Sequence, residues 1–243
     1  MKLIVGNWKL NPSTLNDAVA LASSISYSIG NESFDRMILL PPFIFLEELA
    51  KRFKQISWGA QDFFWESKGA YTGEVSLPML KDIGVNWVLV GHSERRRIFG
   101  ETDEMVNKKM KFALENNFKT IVAVGELNRG DYPEEIIQGF KKSVADADKS
   151  KLENLIIAYE PVWAIGTGES DDPARSNSII GQLKTTAFKM FGEDSNKIKF
   201  LYGGSVNSQN SKSFLNQKNI DGALIGGASL ISEEFASIVE SLE

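Results

Sequence analysis

The chain has 243 residues, 42% of them hydrophobic and 24% charged, which is the composition of a globular protein with enough apolar side chain for a full core. A net charge of −5 and an isoelectric point near 5.2 lack the basic footprint that nucleic-acid binding requires. With no cysteine and a single histidine, the chain has no disulfide, no thiolate metal site and no multi-histidine site, and no motif points to a metal.

The first stretch, "MKLIVGNWKLN", is apolar for too few residues to be a secretory signal. No apolar run approaches membrane-spanning length, so no membrane partner is expected and the expected location is cytoplasmic. "KLIVGNW" opens a series of short apolar runs that continues with "RMILLPP", "ISWGAQD", "WVLVGH", "KTIVAVGE", "NLIIAYE", "IKFLYGGS" and "DGALIGGAS". Near-continuous apolarity without polar alternation predicts parallel strands covered on both faces. Helical patterns fall between them, starting with a short third helix within "SLPMLKDIG". "DEMVNKKMKFALENN" sets Met105, Lys109, Phe112 and Ala113 at helical spacings beside a stripe of Val106, Met110 and Leu114. Farther on, Asp172 is the expected N-cap and Pro173 the first residue of another helix. "SEEFASIVESLE" is amphipathic and closes the chain.

Eight strands alternating with about eight helices, at roughly 30 residues per unit, predict an α/β fold, one (β/α)8 barrel spanning residues 1–243 as a single domain. A doubly wound open sheet would carry its glycine-rich phosphate turn after the first strand. Here that turn reads "GNWKLN", and the Gly-Gly turns follow the last two strands instead.

In such a barrel the chemistry gathers where strands run out into loops. Asn7 and Lys9 follow the first strand, His92 and Glu94 the fourth, Glu126 the fifth and Glu160 the sixth. Ser205 follows the seventh, and Gly226 and Gly227 the eighth. Glycine lets backbone N–H groups approach an anion closely, and the last two loops are the recurrent phosphate site of these barrels. Taken singly, Glu160 is an ordinary strand-end carboxylate, His92 a structural histidine and Lys9 a surface charge. Together, beside a phosphate site, a carboxylate base, an imidazole and an ammonium can abstract a proton next to a carbonyl and stabilise the charge that forms on oxygen. The reaction expected is an aldose–ketose isomerisation of a short phosphorylated sugar, with no cofactor.

"GNWKLN", "VGHSERRRIFGETDE", "AYEPVWAIGTG", "YGGSV" and "GALIGGASL" resemble the motifs of the triosephosphate isomerase family, and the resemblance runs from Lys2 to the last helix. It implies a TIM barrel that interconverts dihydroxyacetone phosphate and D-glyceraldehyde 3-phosphate through an enediol(ate), without cofactor or metal. Matched motif to motif, Glu160 is the base, His92 a neutral electrophile, Lys9 and Asn7 polar groups on the substrate, and Glu94 the partner of the lysine. Gly166, Ser205, Gly226 and Gly227 are implied phosphate contacts, and "PVWAIGTG" a lid whose hinge starts at Pro161 and whose tip holds Gly166 and Gly168. The long loop 61–76, with Phe63, Phe64, Trp65 and Tyr71, is implied to be an arm that enters a second subunit, bringing Thr72 to the neighbour's site. Exposed aromatics on a loop favour the same homodimer. Another phosphate-binding barrel, an epimerase or synthase, is a rival, though metal-using epimerases and synthases generally need ligands that this chain lacks. A non-catalytic barrel would be marked by loss of Lys9, His92 or Glu160, and all three are present.

The chain departs from the family pattern in three places. Ala123 stands where a cysteine is usual, which bears on stability more than on chemistry. Glu169, Asp171 and Asp172 make the trailing end of the lid acidic, and are expected to weaken phosphate affinity or alter lid kinetics. Lys184 stands in place of an arginine, which removes the fork needed for bidentate pairing with Asp221.

Overall fold

A computed structural model describes residues 2–29, 31–126, 129–130, 133–164 and 170–241. The chain runs through β1 (Leu3–Asn7), α1 (Leu15–Ser28), β2 (Met37–Leu40), α2 (Phe43–Arg52), β3 (Ser57–Ala60), α3 (Leu77–Asp82) and β4 (Trp87–Val90). It continues with α4 (Ser93–Phe99), α5 (Asp103–Glu115), β5 (Lys119–Glu126), α6 (Pro133–Ser143), β6 (Leu155–Pro161) and α7 (Pro173–Phe191). The last elements are β7 (Lys199–Tyr202), α8 (Ser211–Leu215), β8 (Gly222–Ile225) and α9 (Ser232–Glu240).

The strands form a closed parallel barrel in sequence order, with β8 pairing back to β1 so that Val5 lies beside Leu224 on one side and Ile38 on the other. Side chains alternate along each strand. Val5, Ile38, Leu89, Ile121, Ile156 and Leu224 point inward and form a plug, while Ile4, Leu39, Val88, Val122 and Ile157 point outward beneath the helices. Burial on both faces is why the strands read as unbroken apolar runs. The plug fills the barrel, so polar groups meet only at its rims.

Two local features were not in the simple repeat. The fourth unit carries two helices, because Gly100 closes α4 in the left-handed region and Thr102 starts α5 by accepting a hydrogen bond from the Met105 N–H. On α5 the predicted stripe is buried, and Lys109 is buried with it. Its ammonium meets Asp62 at 2.6 Å and also binds Glu101.

In loop 61–76, Phe63 is fully buried in the chain's own core. It therefore does not belong to an exposed aromatic arm, which corrects the expectation for that residue. Phe64 stacks on Trp65 at 4.3 Å and packs on Tyr71 at 4.5 Å, so these rings shield one another. Among the described residues no helix is long and apolar enough to cross a membrane.

Candidate active site

The strand ends place Asn7, Lys9, His92, Glu160, Ser205, Gly226 and Gly227 around one cavity of about 260 Å³. These are the residues that the spacing of strands and turns had singled out. Glu94 lies beside it, with its carboxylate 2.5 Å from the Lys9 ammonium. Thr72 is exposed on the loop between β3 and α3, outside the cavity. Gly166, Gly168 and Glu169 lie outside the described residues.

Lys9 owes its place to a strained turn. Its φ is +55°, in the left-handed region that non-glycine residues rarely enter, and Asn7 Oδ1 accepts the Lys9 N–H at 3.0 Å. The turn aims the lysine across the barrel mouth at α4, where Glu94 holds it. Neutralised in this way, the ammonium remains a hydrogen-bond donor at the cavity wall.

His92 is the N-cap of α4. Its Nδ1 accepts the Glu94 N–H at 3.3 Å, so a neutral ring carries its proton on Nε2, the nitrogen that faces Glu160. His92 Nε2 lies 3.3 Å from Glu160 Oε1. The other Glu160 oxygen accepts the Ser93 N–H at 2.8 Å. Glu160 is only 2% exposed, and glycines on β5 and just past the end of β7 make room for it. A Cβ on Gly125 would fall 1.8 Å from the Glu160 carbonyl, and one on Gly203 would fall 2.9 Å from its Cγ. The Ser93 contact was not anticipated, although a helix opening directly after His92 is where a free backbone N–H is to be expected.

The wall formed by the ends of β7 and β8 is largely backbone. Gly203, Gly204 and Ser205 leave β7, and Gly226 and Gly227 leave β8 into a single helical turn. The first N–H groups of such a turn have no partner within it. Ser205 Oγ donates to the Ala164 carbonyl at 2.5 Å, which ties this wall to the segment after Glu160. Among the described residues no group of three or more His, Cys, Asp or Glu side chains is placed to hold a metal ion.

Behind Glu160 lies a second polar cluster. Glu126 Oε1 accepts the Tyr159 hydroxyl at 3.0 Å and the Trp163 indole N–H at 2.8 Å. Arg175 pairs with Glu126 at 2.7 Å and with Asp171 at 2.9 Å. Burial, reinforced by the Glu126 carboxylate, pushes the Tyr159 hydroxyl above its usual range. Burial works against the charge of Arg175, but Glu126, Tyr159 and Asp171 together hold its proton more firmly than usual. Asp171 is therefore not a free negative charge facing a substrate, which corrects that part of the acidic-hinge expectation. Asp172 caps α7 as anticipated, accepting the Arg175 N–H at 2.9 Å.

On the other side of Lys9 a groove of about 410 Å³ is lined by Leu10, Phe43, Gln61, Asp62, Glu94, Arg95, Ile98 and Phe99, among others. Burial raises the Asp62 carboxyl to about 6, with Lys109 opposing, Glu101 adding to the rise and Arg95 opposing.

A sequence profile of the family described as Triosephosphate isomerase matches residues 2–242. The chain is 42% identical over 244 residues to a protein of Caldanaerobacter subterraneus subsp. tengcongensis named triosephosphate isomerase, covering 98% of each chain. It is 41% identical over 244 residues, again 98% of each, to one of that name from Clostridium botulinum strain Loch Maree. A protein of the same name from Dictyoglomus thermophilum is 42% identical over 247 residues, covering 99% of each.

Proposed function

The chain belongs to the triosephosphate isomerase family, and from that premise we propose how its own residues carry the reaction. The reaction is the interconversion of dihydroxyacetone phosphate and D-glyceraldehyde 3-phosphate. Glu160 takes the proton from the carbon beside the carbonyl and returns it to the neighbouring carbon. His92 Nε2–H and the Lys9 ammonium stabilise the negative charge that develops on the substrate oxygens, with Asn7 holding the turn that presents Lys9 and Glu94 holding its ammonium. The backbone of Ser205, Gly226 and Gly227 takes the phosphate, and Gly166 is assigned to it by the family resemblance alone. The observation that carries this reading is the convergence of Glu160, His92 and Lys9 with two glycine turns on one cavity.

The Glu160 carboxylate, docked on the Ser93 N–H, must leave that donor to reach a substrate carbon. Placement of the carboxylate is therefore the sensitive variable. In a coupled assay that reads dihydroxyacetone phosphate formed from glyceraldehyde 3-phosphate, the wild-type protein turns over substrate. Glu160→Asp, which withdraws the carboxylate by about 1 Å, lowers kcat by about 10²-fold or more. Absence of wild-type activity above buffer overturns the functional reading, and near-normal turnover in Glu160→Asp overturns the assigned base.

The same reading includes a homodimer formed through loop 61–76, with Thr72 at its contact. It is supported by exposed apolar side chains at the groove beside Lys9, where Leu10 is 91% and Phe99 67% accessible. A cytoplasmic location belongs to the proposal as well, because a phosphorylated triose is charged and stays in the compartment where it is made.

A further inference from the structure

Glu126, Asp171 and Arg175 are brought together from β5 and from both sides of the start of α7, and none of them touches the cavity. Both carboxylates have fully buried side chains, while Arg175 is 29% accessible. Every oxygen of this pair is occupied. Glu126 takes Tyr159, Trp163 and Arg175, whereas Asp171 takes the Asp172 N–H at 2.8 Å, the Ser176 hydroxyl at 2.8 Å and Arg175. The Asp171 N–H in turn donates to the Tyr202 hydroxyl at 3.2 Å, at the end of β7. The Arg175 guanidinium also lies 5.9 Å from the centre of the Trp163 ring, with Arg129 at 4.9 Å. One forked cation thus joins the strand that bears the base, through Tyr159 and Trp163, to the start of α7.

We propose that Arg175 and Asp171 are positioning residues for the isomerisation: their ion pair, shared with Glu126, fixes the backbone on both sides of Glu160 relative to the rim of β7. Tyr159 immediately precedes Glu160, and Trp163 follows three residues later, so both flanks of the base converge on Glu126. A planar guanidinium reaches two carboxylates at once, which an ammonium cannot do with the same geometry. A network that only stabilised the fold would affect melting without touching the pH dependence of turnover. This one links the two, because removing the cation leaves two buried carboxylates competing for a proton.

The proposal rests on the isomerase reading, and wild-type turnover in the same assay tests that reading separately. In Arg175→Gln, kcat/KM falls by about tenfold or more at pH 8.5. The ratio of variant to wild type then rises as the pH is lowered toward 6 and the unpaired carboxylates take up a proton. In Asp171→Asn/Arg175→Gln the ion pair is absent at every pH, so kcat/KM stays about tenfold or more below wild type, while the ratio varies less with pH than in the single variant because one carboxylate is gone. A pH-independent ratio in the single variant, or wild-type turnover in the double variant, overturns the proposal. Should Arg175→Gln fail to fold, Arg175→Lys carries the test. It keeps the cation but loses the fork, so kcat/KM falls while the ratio stays flat with pH, and wild-type kinetics in that variant overturn the proposal.

Discussion

Lys9 and Asp62 lie on the same groove and show how far residue type alone can be read. Lys9 was legible as a strand-end cation, but its left-handed turn and its hold on Glu94 depend on a partner 85 residues away. Lys109 falls on the apolar face of α5 by its spacing, yet nothing local shows that Asp62, 47 residues earlier, is there to receive it. Asp62 carries a testable consequence. Its folded pKa of about 6 lies above the ordinary carboxylate value of about 3.9, so the folded state binds more protons between these values. The stability it contributes is present below about pH 4 and is lost as pH rises through about 6. The stability gap between Asp62→Asn, neutral at every pH, and wild type therefore shifts in the variant's favour as the pH rises through that window. Urea unfolding at pH 8, 6 and 4.5 measures this, and a gap independent of pH contradicts it.

The elements follow from local rules more fully than the contacts between them do. Unbroken apolar runs placed the strands, and Asp172-Pro173 placed the start of α7. What periodicity could not show is that α7 does two jobs at its first turn, since Arg175 bonds Glu126 across 49 residues of chain. The two roles are separable. Asp172→Ala removes only the cap on the Arg175 N–H and costs about 1 kcal/mol of stability. The Arg175 side chain keeps its ion pairs, so kcat stays within about twofold. Thermal unfolding and steady-state kinetics on one preparation decide it, and a large fall in kcat with an unchanged Tm contradicts the division. Gly125 and Gly203 make a similar point for the strands. Gly203 reads from sequence as part of a Gly-Gly turn and Gly125 carries no signal of its own, but both leave space for Glu160 on β6.

Taken whole, the molecule has an acidic surface with an apolar patch at one edge of its reactive rim. Leu10, Ile98 and Phe99 are all more than half exposed there, beside Arg95, which lies over the Phe99 ring at 5.2 Å. If a second copy covers this patch, a charge placed within it separates the subunits. Ile98→Asp shifts the sedimentation-equilibrium mass from two chains toward one at micromolar concentration. A monomeric wild-type protein, or a variant of unchanged mass, contradicts that assembly. Loop 61–76 reads from sequence as a projecting arm, but burial of Phe63 ties its base to the barrel and leaves only its outer part to reach elsewhere.

At the rim opposite the cavity, Lys184 binds Asp221 Oδ2 through one contact at 2.8 Å, and Asp221 accepts the Phe200 N–H at 2.9 Å. The apolar plug stands between that rim and Glu160. Leu155 and Glu160 are five residues apart on β6, and at about 3.3 Å per residue this is a separation of about 16 Å. Sites so far apart with no shared partner have nearly additive free energies. Selection can therefore adjust the durability of this protein at one rim and its chemistry at the other as independent traits, each open to change without readjustment of its counterpart.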